Sequence, residues 1–339
     1  MNIMVRRIFS TLFNYIKCFF EFILNFPKFI KKHYHAFWQN LHNLKYNLKN
    51  LAEANTKLGI YHLNNQNYND AIFRFKLVDR FFKPQDPLVH YWLGVGYFFK
   101  RNYPKALIHL EQGKNEDRLG LISFVRNIDD VSKIPNQIYE MHRGITAGSF
   151  AHRFDNKKDY SLPKDLIFQL FNVMEDLPKE YSILDLGSNV GLLGPEIQKR
   201  MDDGFSLTGV EISKVMIDLQ ATCFPEAKYN EMINSSPEEF LLKGNKKKYN
   251  IIVSLDGFAS NADLNIVFSK IHDTLVVGGY FVFAVKASPE VGFDEKYLEF
   301  SYSKDYIDNV LQQSKLKILT WLEIELAIKN NYFIFVCKK

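Results

Sequence analysis

Cysteine is scarce in this sequence. Three cysteines occur among 339 residues, and Cys18, Cys223 and Cys337 lie far apart with no CxxC pair. A small, odd number of distant cysteines argues against a disulfide framework and against a structural zinc site, and it favours a reducing compartment. The histidines suggest no metal site either, because no HxxxH or HxH pair lies beside a cluster of carboxylates. We therefore expect a cytoplasmic protein without a bound metal.

A general excess of one charge is also lacking. The net charge is +5, and residues 1–32 alone contain six lysines and arginines against a single acidic residue, Glu21. The remainder of the chain has 37 basic and 37 acidic residues. A charge excess confined to one short segment does not indicate a nucleic-acid-binding protein, so we expect no nucleic-acid partner.

Residues 1–32 lack the uninterrupted apolar run of a membrane-spanning helix. The segment is rich in phenylalanine, but Lys17 and Glu21 fall in its middle, which is costly for a lone spanning helix. Its polar residues recur every three or four positions and so form one stripe on a helix. For this amphipathic, basic segment, which we extend to residues 1–50, a spanning helix ranks third behind two other interpretations. Its apolar face lies in an anionic membrane surface at the inner face of the membrane, or it packs against the next domain.

An internal repeat follows in residues 51–118. The stretches "KLGIYHLNNQNYNDAIFRF" and "WLGVGYFFKRNYPKALIHL" carry small and aromatic residues at equivalent positions 35 residues apart. They resemble the tetratricopeptide repeat, a helix–turn–helix unit of about 34 residues, which implies two helical hairpins. The groove of such hairpins would take a peptide or a partner protein. Because two repeats make only a short solenoid, we favour the alternative of a structural spacer, with residues 119–145 as a helical linker and cap.

The pattern changes in residues 146–339. Apolar segments that resemble strands, such as "YSILDLG", "FSLTGVEIS" and "YNIIVSLDG", alternate with helical stretches. This alternation predicts a parallel sheet covered by helices on both faces. Ligands of such sheets bind at the carboxyl ends of the strands. Near the end of the domain, the stretch "TLVVGGYFVFAV" predicts a turn at the two adjacent glycines before the next strand.

The GxGxxG fingerprint of dinucleotide-binding domains is missing after the first strand. The chain reads DLGSNVG there, with Gly187 and Gly191 in place and Asn189 at the position of the central glycine. Asparagine tolerates positive φ better than other non-glycine residues, so the turn can still form. Asp185 precedes this turn. Glu211 ends the next strand, 20 residues after Gly191, where a carboxylate can accept hydrogen bonds from both hydroxyls of a ribose.

The DxGxxxG spacing of Asp185, Gly187 and Gly191 resembles motif I of class I S-adenosylmethionine-dependent methyltransferases. Later segments are similar in order, since Glu211 matches the family's ribose-binding acid and Asp256 matches the position that faces the reacting methyl. The whole chain resembles the bacterial group in which tetratricopeptide repeats precede such a domain. This resemblance implies a Rossmann-like α/β domain with a mostly parallel seven-stranded sheet, preceded by an all-α repeat domain, and S-adenosylmethionine as the cofactor.

The resemblance also implies a set of cofactor-binding residues. In it, Ile212 lies beside the adenine, and Asn234 with Ser235 occupies the position of an acid that contacts the adenine amine. Asp256 contacts the substrate or, alternatively, caps the following helix. Residues 149–160 would form a lid. The full set is Asp185, Gly187, Ser188, Asn189, Gly191, Glu211, Ile212, Asn234, Ser235 and Asp256.

The function that this resemblance implies is in-line methyl transfer, with an acceptor and a catalytic base that the sequence does not identify. The N/D-P-P-Y motif of amide- and amine-directed enzymes is absent, since the chain reads SLDG at residues 254–257. We therefore favour a small-molecule or lipid-soluble acceptor over a protein. Two alternatives stay open. One is an inactive scaffold near a membrane, because Asn189 replaces a glycine. The other is a nicotinamide-dependent oxidoreductase, which the missing fingerprint disfavours.

Overall fold

The fold is taken from a computed structural model of the chain. The structure describes residues 34, 38–39, 50–155, 161–175, 179–200, 204–244, 247–326 and 330–339. The amphipathic segment of residues 1–32 lies outside the described residues, and so do residues 156–160 of the expected lid. The alternatives for the N-terminal segment therefore remain predictions. Within the described ranges, no helix is long and apolar enough to cross a membrane.

Two helical hairpins open the described part of the chain. Their helices are α1 (Leu51–Asn64), α2 (Tyr68–Phe81), α3 (Pro87–Phe99) and α4 (Tyr103–Gln112). Equivalent positions make equivalent contacts. A side chain at Gly59 would meet the Phe75 ring at 2.4 Å, and 35 residues later a side chain at Gly94 would meet Leu110 at 2.5 Å. The small residues of the repeat thus let the paired helices approach closely.

A connecting region joins the hairpins to the sheet. It contains α5 (Leu121–Arg126), two short 3₁₀ turns and the long helix α6 (Asn136–Asp155). The expected helical linker at residues 119–145 is therefore only partly continuous, and α6 runs across the predicted boundary at residue 146. Backbone hydrogen bonds fix the entry to α6, since Ile134 N–H donates to the Ser260 carbonyl at 2.8 Å.

The remainder of the chain is an α/β domain. Its sheet strands, in the described residues, are β1 (Tyr181–Leu186), β2 (Phe205–Glu211), β3 (Glu231–Asn234), β4 (Tyr249–Leu255), β5 (Leu275–Lys286), β8 (Lys317–Glu325) and β9 (Asn331–Lys338). A separate small hairpin consists of β6 (Gly292–Asp294) and β7 (Glu299–Ser301). The helices are α7 (Leu162–Val173), α8 (Gly194–Gln198), α9 (Lys214–Cys223), α10 (Pro237–Leu242), α11 (Asn265–Thr274) and α12 (Lys304–Gln313).

The strand order is β3-β2-β1-β4-β5-β9-β8. Strands β1 to β5 pair in parallel, whereas β9 pairs antiparallel with both β5 and β8. This order confirms the predicted Rossmann-like, mostly parallel seven-stranded sheet. The chain moves from β1 outward to β3 and then returns to β4 on the other side. The crevice at the carboxyl ends of β1 and β4 is therefore the switch point, where open α/β sheets bind ligands.

The turn predicted at the two adjacent glycines is wrong. The sequence predicts a turn at Gly278 and Gly279, yet β5 runs through both glycines as one strand. Its pairing with β4 shifts register between Tyr249 and Ile251, and Gly278 has φ of +76°. Between these two pairs β4 advances by two residues and β5 by five, and a glycine at positive φ lets β5 accommodate the three extra residues without a break in the strand.

The helical hairpins are not a separate body with a core of their own. One apolar cluster runs from Phe75 and Leu93 in the hairpins to Phe281 and Phe283 on one face of the sheet. The opposite face of the sheet has its own cluster, which includes Ile183 and helix α7. The hairpins also contact the β6–β7 hairpin. One continuous apolar cluster therefore joins the hairpins to the α/β domain.

Candidate functional site

The loop after β1 adopts the conformation that its glycines indicate. Gly187, Asn189 and Gly191 all have positive φ, at +76°, +55° and +85°. Asn189 therefore accepts the left-handed conformation in place of the central glycine, as expected for asparagine. The tight turn is intact, and its backbone is held by the next strand, because the N–H groups of Gly187 and Ser188 both donate to the Val210 carbonyl.

Glu211 joins this loop to the end of β2. Its carboxylate is buried, with 2% of the residue exposed. One oxygen accepts a hydrogen bond from Asn189 N–H at 3.0 Å, and the other accepts from Ser213 N–H at 3.0 Å. Each carboxylate oxygen has a second lone pair, so both can still accept a hydroxyl donor. Glu211 thus fixes the geometry of the loop and keeps acceptor capacity for a ligand.

Asp185 is the most deeply buried acid at the crevice. It is 0% exposed, and one carboxyl oxygen accepts a hydrogen bond from the Tyr229 hydroxyl at 2.6 Å. The other oxygen has no hydrogen-bond partner among the described residues. Burial raises the pKa of Asp185 to about 7, against the lowering effect of the Tyr229 hydroxyl, and the nearby Glu211 charge adds to the rise. An unpartnered buried oxygen is costly unless a ligand satisfies it.

The end of β3 is pinned to the end of β2. The Asn234 amide nitrogen donates to the carbonyls of Glu211 at 3.1 Å and Ile212 at 2.7 Å. Ser235 is buried, and its hydroxyl has no partner in the part of the chain that the structure describes; the Ser188 hydroxyl is in the same situation. Ile212 is buried at this edge. The amide nitrogen of Asn234 is thus used inside the protein, which leaves its oxygen as the group that could meet a ligand.

The β1 loop lies directly against the end of β4. A Cβ on Gly187 would stand 2.4 Å from Gly257 Cα, and one on Gly257 would stand 2.2 Å from the Leu186 carbonyl oxygen. The Ser254 hydroxyl donates to the same carbonyl at 2.7 Å. The glycine at position 187 is therefore required by protein packing as well as by its φ, whatever ligand the loop holds.

Asp256 does not cap the following helix. Helix α11 begins at Asn265, and it is Asp263 whose carboxylate accepts the Asn265 N–H at 2.9 Å. Asp256 instead stands at the end of β4 with φ of +62°, half-buried. Burial raises its pKa, the Glu299 charge raises it further, and the cations Arg143 and Lys286 oppose the rise. Of the two alternatives from the sequence, only the position at the crevice remains.

The structure adds charged residues that the sequence analysis missed. Arg143 of α6 donates to the side-chain oxygen of Asn189. Lys286, at the end of β5, pairs with Glu299 at 2.5 Å and Asp294 at 3.1 Å. These side chains come from α6, β5 and the β6–β7 hairpin. Their distance from the loop along the chain leaves no spacing signal that could have found them.

A cavity opens at the same edge of the sheet, beyond β5. Its volume is about 500 Å³. Lysine, carboxylate, amide and hydroxyl groups supply much of its wall, together with a few apolar side chains. Its lining residues are Lys286, Ala287, Ser288, Pro289, Glu323, Asn330, Asn331 and Phe333. A cavity of this size suits a small molecule.

The predicted site residues therefore come together at one edge. All of them lie at the carboxyl ends of β1 to β4, namely the loop residues together with Glu211, Ile212, Asn234, Ser235 and Asp256. Their contact with a cofactor remains a prediction. In the described ranges, no group of three or more His, Cys, Asp or Glu residues is arranged to hold a metal ion.

Comparison with known proteins matches this region. Residues 154–319 match the family model described as a methyltransferase domain. No curated protein sequence matches the chain. The matched segment contains the β1 loop, Glu211 and Asp256, and this part of the chain is therefore similar to a methyltransferase domain. Arg143 lies outside it.

Solved methyltransferases are among the structures similar to this chain. An S-adenosylmethionine-dependent methyltransferase from Clostridium acetobutylicum ATCC 824 is 16% identical, with a TM-score of 0.43 over 56% of this chain and 98% of its own. Magnesium protoporphyrin IX methyltransferase from Synechocystis PCC 6803, solved with bound S-adenosylhomocysteine, is 12% identical, with a TM-score of 0.47 over 60% of this chain and 99% of its own. Geranyl diphosphate C-methyltransferase from Streptomyces coelicolor A3(2) is 11% identical, with a TM-score of 0.42 over 52% and 79%.

Proposed function

We propose that this protein is a methyltransferase whose cofactor is S-adenosylmethionine. One observation carries the proposal. At the switch point of the sheet, the Glu211 carboxylate and the unpartnered oxygen of Asp185 flank the loop after β1. The match of residues 154–319 to a methyltransferase domain supports the same conclusion.

The residues at the crevice fit the chemistry of this cofactor. S-adenosylmethionine carries an amino group, two ribose hydroxyls and an adenine amine, all of which donate hydrogen bonds. The crevice offers acceptors for such groups, namely the free Asp185 oxygen, the remaining lone pairs of Glu211 and the Ser235 hydroxyl. A ligand of this kind would satisfy buried oxygens that the described protein leaves without partners.

The protein's own part in the reaction is binding and alignment. When bound, S-adenosylmethionine supplies an electrophilic methyl group on a sulfonium. Glu211 would hold the ribose hydroxyls, and Asp185 would accept from the amino group. Asp256, at the end of β4, faces the acceptor side. Because its pKa is raised, its carboxylate is suited to accept a proton from a hydroxyl or amine acceptor near neutral pH.

We further propose a hydrophilic small molecule as the methyl acceptor. The cavity of about 500 Å³ adjoins the acceptor side through Lys286. Its wall carries the charged groups of Lys286 and Glu323 and the amides of Asn330 and Asn331. An apolar acceptor in this cavity would remove water from the charged side chains of Lys286 and Glu323, which is costly. The lining thus favours a polar acceptor over the lipid-soluble one that the N-terminal segment suggests.

The helical hairpins serve, in this proposal, mainly as a brace. Arg101, in the turn between α3 and α4, donates to the Lys296 carbonyl at 3.1 Å. Lys296 belongs to the β6–β7 hairpin, which also supplies Asp294 and Glu299 to Lys286. A peptide partner in the groove of tetratricopeptide-like hairpins, and an anionic membrane surface for residues 1–32, remain proposals. Flotation with anionic liposomes, with and without residues 1–32, tests the latter, and equal flotation of both forms would contradict it.

Calorimetry with S-adenosylhomocysteine tests the cofactor. The wild type should bind it saturably, and Glu211→Ala should weaken binding by about 100-fold, because a ligand then loses two charge-assisted hydrogen bonds. Glu226→Gln, on the exposed surface, is the matched control and should bind like the wild type. An NAD(H) titration covers the oxidoreductase alternative. Saturable binding of NAD(H) alone, or no binding of either ligand, would refute the proposal.

Transfer of a radiolabelled methyl group tests the acceptor. The wild type and S-adenosylmethionine labelled in the methyl group are incubated with a cell extract, which is then separated into aqueous small molecules, organic-soluble lipids and protein. Label should accumulate in the aqueous fraction, and Glu211→Ala should abolish it. Label confined to the lipid or the protein fraction would contradict a hydrophilic small-molecule acceptor, while leaving the methyltransferase proposal in place.

A further inference from the structure

Arg143 is the side chain that reaches the cofactor loop from the helical connection. It lies in α6, outside the matched segment of residues 154–319. Its guanidinium donates to the side-chain oxygen of Asn189, the residue that stands where motif I usually has a glycine. The unusual residue of the loop and a residue from another part of the chain therefore meet directly.

The Asn189 amide is engaged at both ends. Its nitrogen donates to the Gly187 carbonyl at 2.8 Å within the loop and to the Leu255 carbonyl at 3.2 Å at the end of β4. With the nitrogen thus directed into the loop, the oxygen points to Arg143. A glycine at this position could make none of these side-chain contacts. Asn189 thus links β1, β4 and α6.

The acidic groups around Arg143 keep its guanidinium charged. Burial alone would lower its pKa, but Tyr139 and the carboxylates Glu211 and Asp256 outweigh that effect, and the pKa is raised. The guanidinium also lies over the Tyr139 ring, 5.9 Å from its centre. A permanently charged donor therefore faces the Asn189 oxygen.

Helix α6 is itself firmly held. The Asn136 amide donates to the Ser236 hydroxyl at 3.2 Å, which ties the start of α6 to the site edge. One residue before Arg143, His142 stacks on Phe99 of the hairpins with ring centres 6.1 Å apart. Burial lowers the pKa of His142 to about 3, so its ring stays neutral. The hairpins and the sheet together fix the position from which Arg143 extends.

We propose that Arg143 is a positioning residue that sets the conformation of the cofactor loop through Asn189. The side-chain contacts of this pair hold the loop in one conformation. Cofactor affinity depends on that conformation. The inference rests on the proposed function only where it concerns cofactor affinity. The contact between the two side chains is independent of it.

A double-mutant cycle of unfolding tests the pair without any ligand. The variants are Arg143→Gln, Asn189→Gly and the double variant, each measured by urea unfolding. If the side chains interact, the two single effects are not additive. Arg126→Gln removes an arginine that pairs with Glu111 at the surface and should combine additively with Asn189→Gly. Additive effects of Arg143→Gln and Asn189→Gly would overturn the pair.

Calorimetry with S-adenosylhomocysteine tests the effect on the cofactor loop. Arg143→Gln should weaken binding by about tenfold in the wild-type background, the usual effect of one lost charge-assisted hydrogen bond. In the Asn189→Gly background the same change should alter affinity less than about twofold. Arg143→Lys, which retains a donor and the charge, should recover part of the affinity.

The possible results separate the two proposals. Equal weakening in both backgrounds would show that Arg143 acts on the ligand directly, and it would overturn action through Asn189. Unchanged binding by Arg143→Gln would overturn it as well. Failure of the wild type to bind S-adenosylhomocysteine would overturn the proposed function and the claim on affinity together. The unfolding cycle would still decide whether Arg143 and Asn189 act as a pair.

Discussion

Each side of the crevice contains one aspartate, and the two aspartates have contrasting surroundings. At the end of β1, Asp185 is fully buried beside the Tyr229 hydroxyl, and one of its oxygens has no partner among the described residues. At the end of β4, Asp256 is half-buried among charged side chains, where Glu299 raises its pKa and Arg143 and Lys286 lower it. The pKa of both aspartates is raised. Asp185 therefore lies beside a neutral hydroxyl and one carboxylate, whereas Asp256 lies between charges of both signs. In the proposed function, the first side binds the methyl donor and the second a polar acceptor.

The largest expected effect comes from the junction between the two sides. Gly187 and Gly278 have the same φ of +76°, but only Gly187 has a backbone atom, Gly257 Cα, 2.4 Å from an added Cβ. Gly278→Ala should therefore cost about 1–2 kcal/mol, the strain of the left-handed conformation alone. Gly187→Ala should cost more than about 3 kcal/mol, because overpacking is added to the same strain.

Urea unfolding of both glycine variants gives these free energies. A loss at Gly187 no larger than that at Gly278 would mean that the β1 loop and the end of β4 are less tightly joined than their packing indicates. Such a result would contradict the inference that the β1 loop and the end of β4 form one rigid unit.

An effect of similar size, but dependent on pH, should separate the two aspartates. Because the pKa of Asp185 is raised to about 7, its neutral form stabilises the fold. That contribution is complete below its ordinary value of 3.8 and is lost as the pH rises to about 7. Asp185→Asn stays neutral and can still accept from Tyr229. It should therefore gain stability relative to the wild type as the pH rises, by about 3–4 kcal/mol at pH 8.

Calorimetric unfolding at pH 4 and pH 8 measures this gain. Asp256→Asn is the matched comparison. Its gain at pH 8 should be smaller, because Asp256 is only half-buried and solvent screens its charge. A gain at Asp185 that does not change with pH would contradict the burial of a titrating carboxyl group there.

The smallest effect on cofactor affinity is expected from Lys286, on the acceptor side. Lys286→Met removes the cation that pairs with Glu299 and Asp294 and that lines the cavity. Methyl transfer to aqueous small molecules should fall about tenfold or more, since a charged contact is lost. Affinity for S-adenosylhomocysteine should change less than about twofold. A large loss of cofactor affinity would mean that the two sides of the crevice are not functionally distinct.

Much of the α/β domain could be predicted from the residues in order. Short apolar runs marked β1, β2 and β4, since buried parallel strands are apolar on both faces. The offset from Gly191 placed Glu211 correctly at the end of β2. The turn expected at Gly278 was wrong, because the register of two paired strands decides whether adjacent glycines end a strand or bend it. Likewise, the sequence could not decide whether Asp256 caps a helix, because it does not show where α11 begins.

The sequence by itself determined the alternation of strands and helices, the loop DLGSNVG and the 35-residue spacing of the helical hairpins, because these depend on local periodicity and on neighbouring residues. Only the tertiary structure decided that the hairpins share a core with one face of the sheet, and that Arg143 meets Asn189. Contacts between residues 46 positions apart depend on how whole elements pack, and no local pattern records them. Asn189 is therefore more than a substituted glycine, since its partner comes from a helix that the local motif does not include.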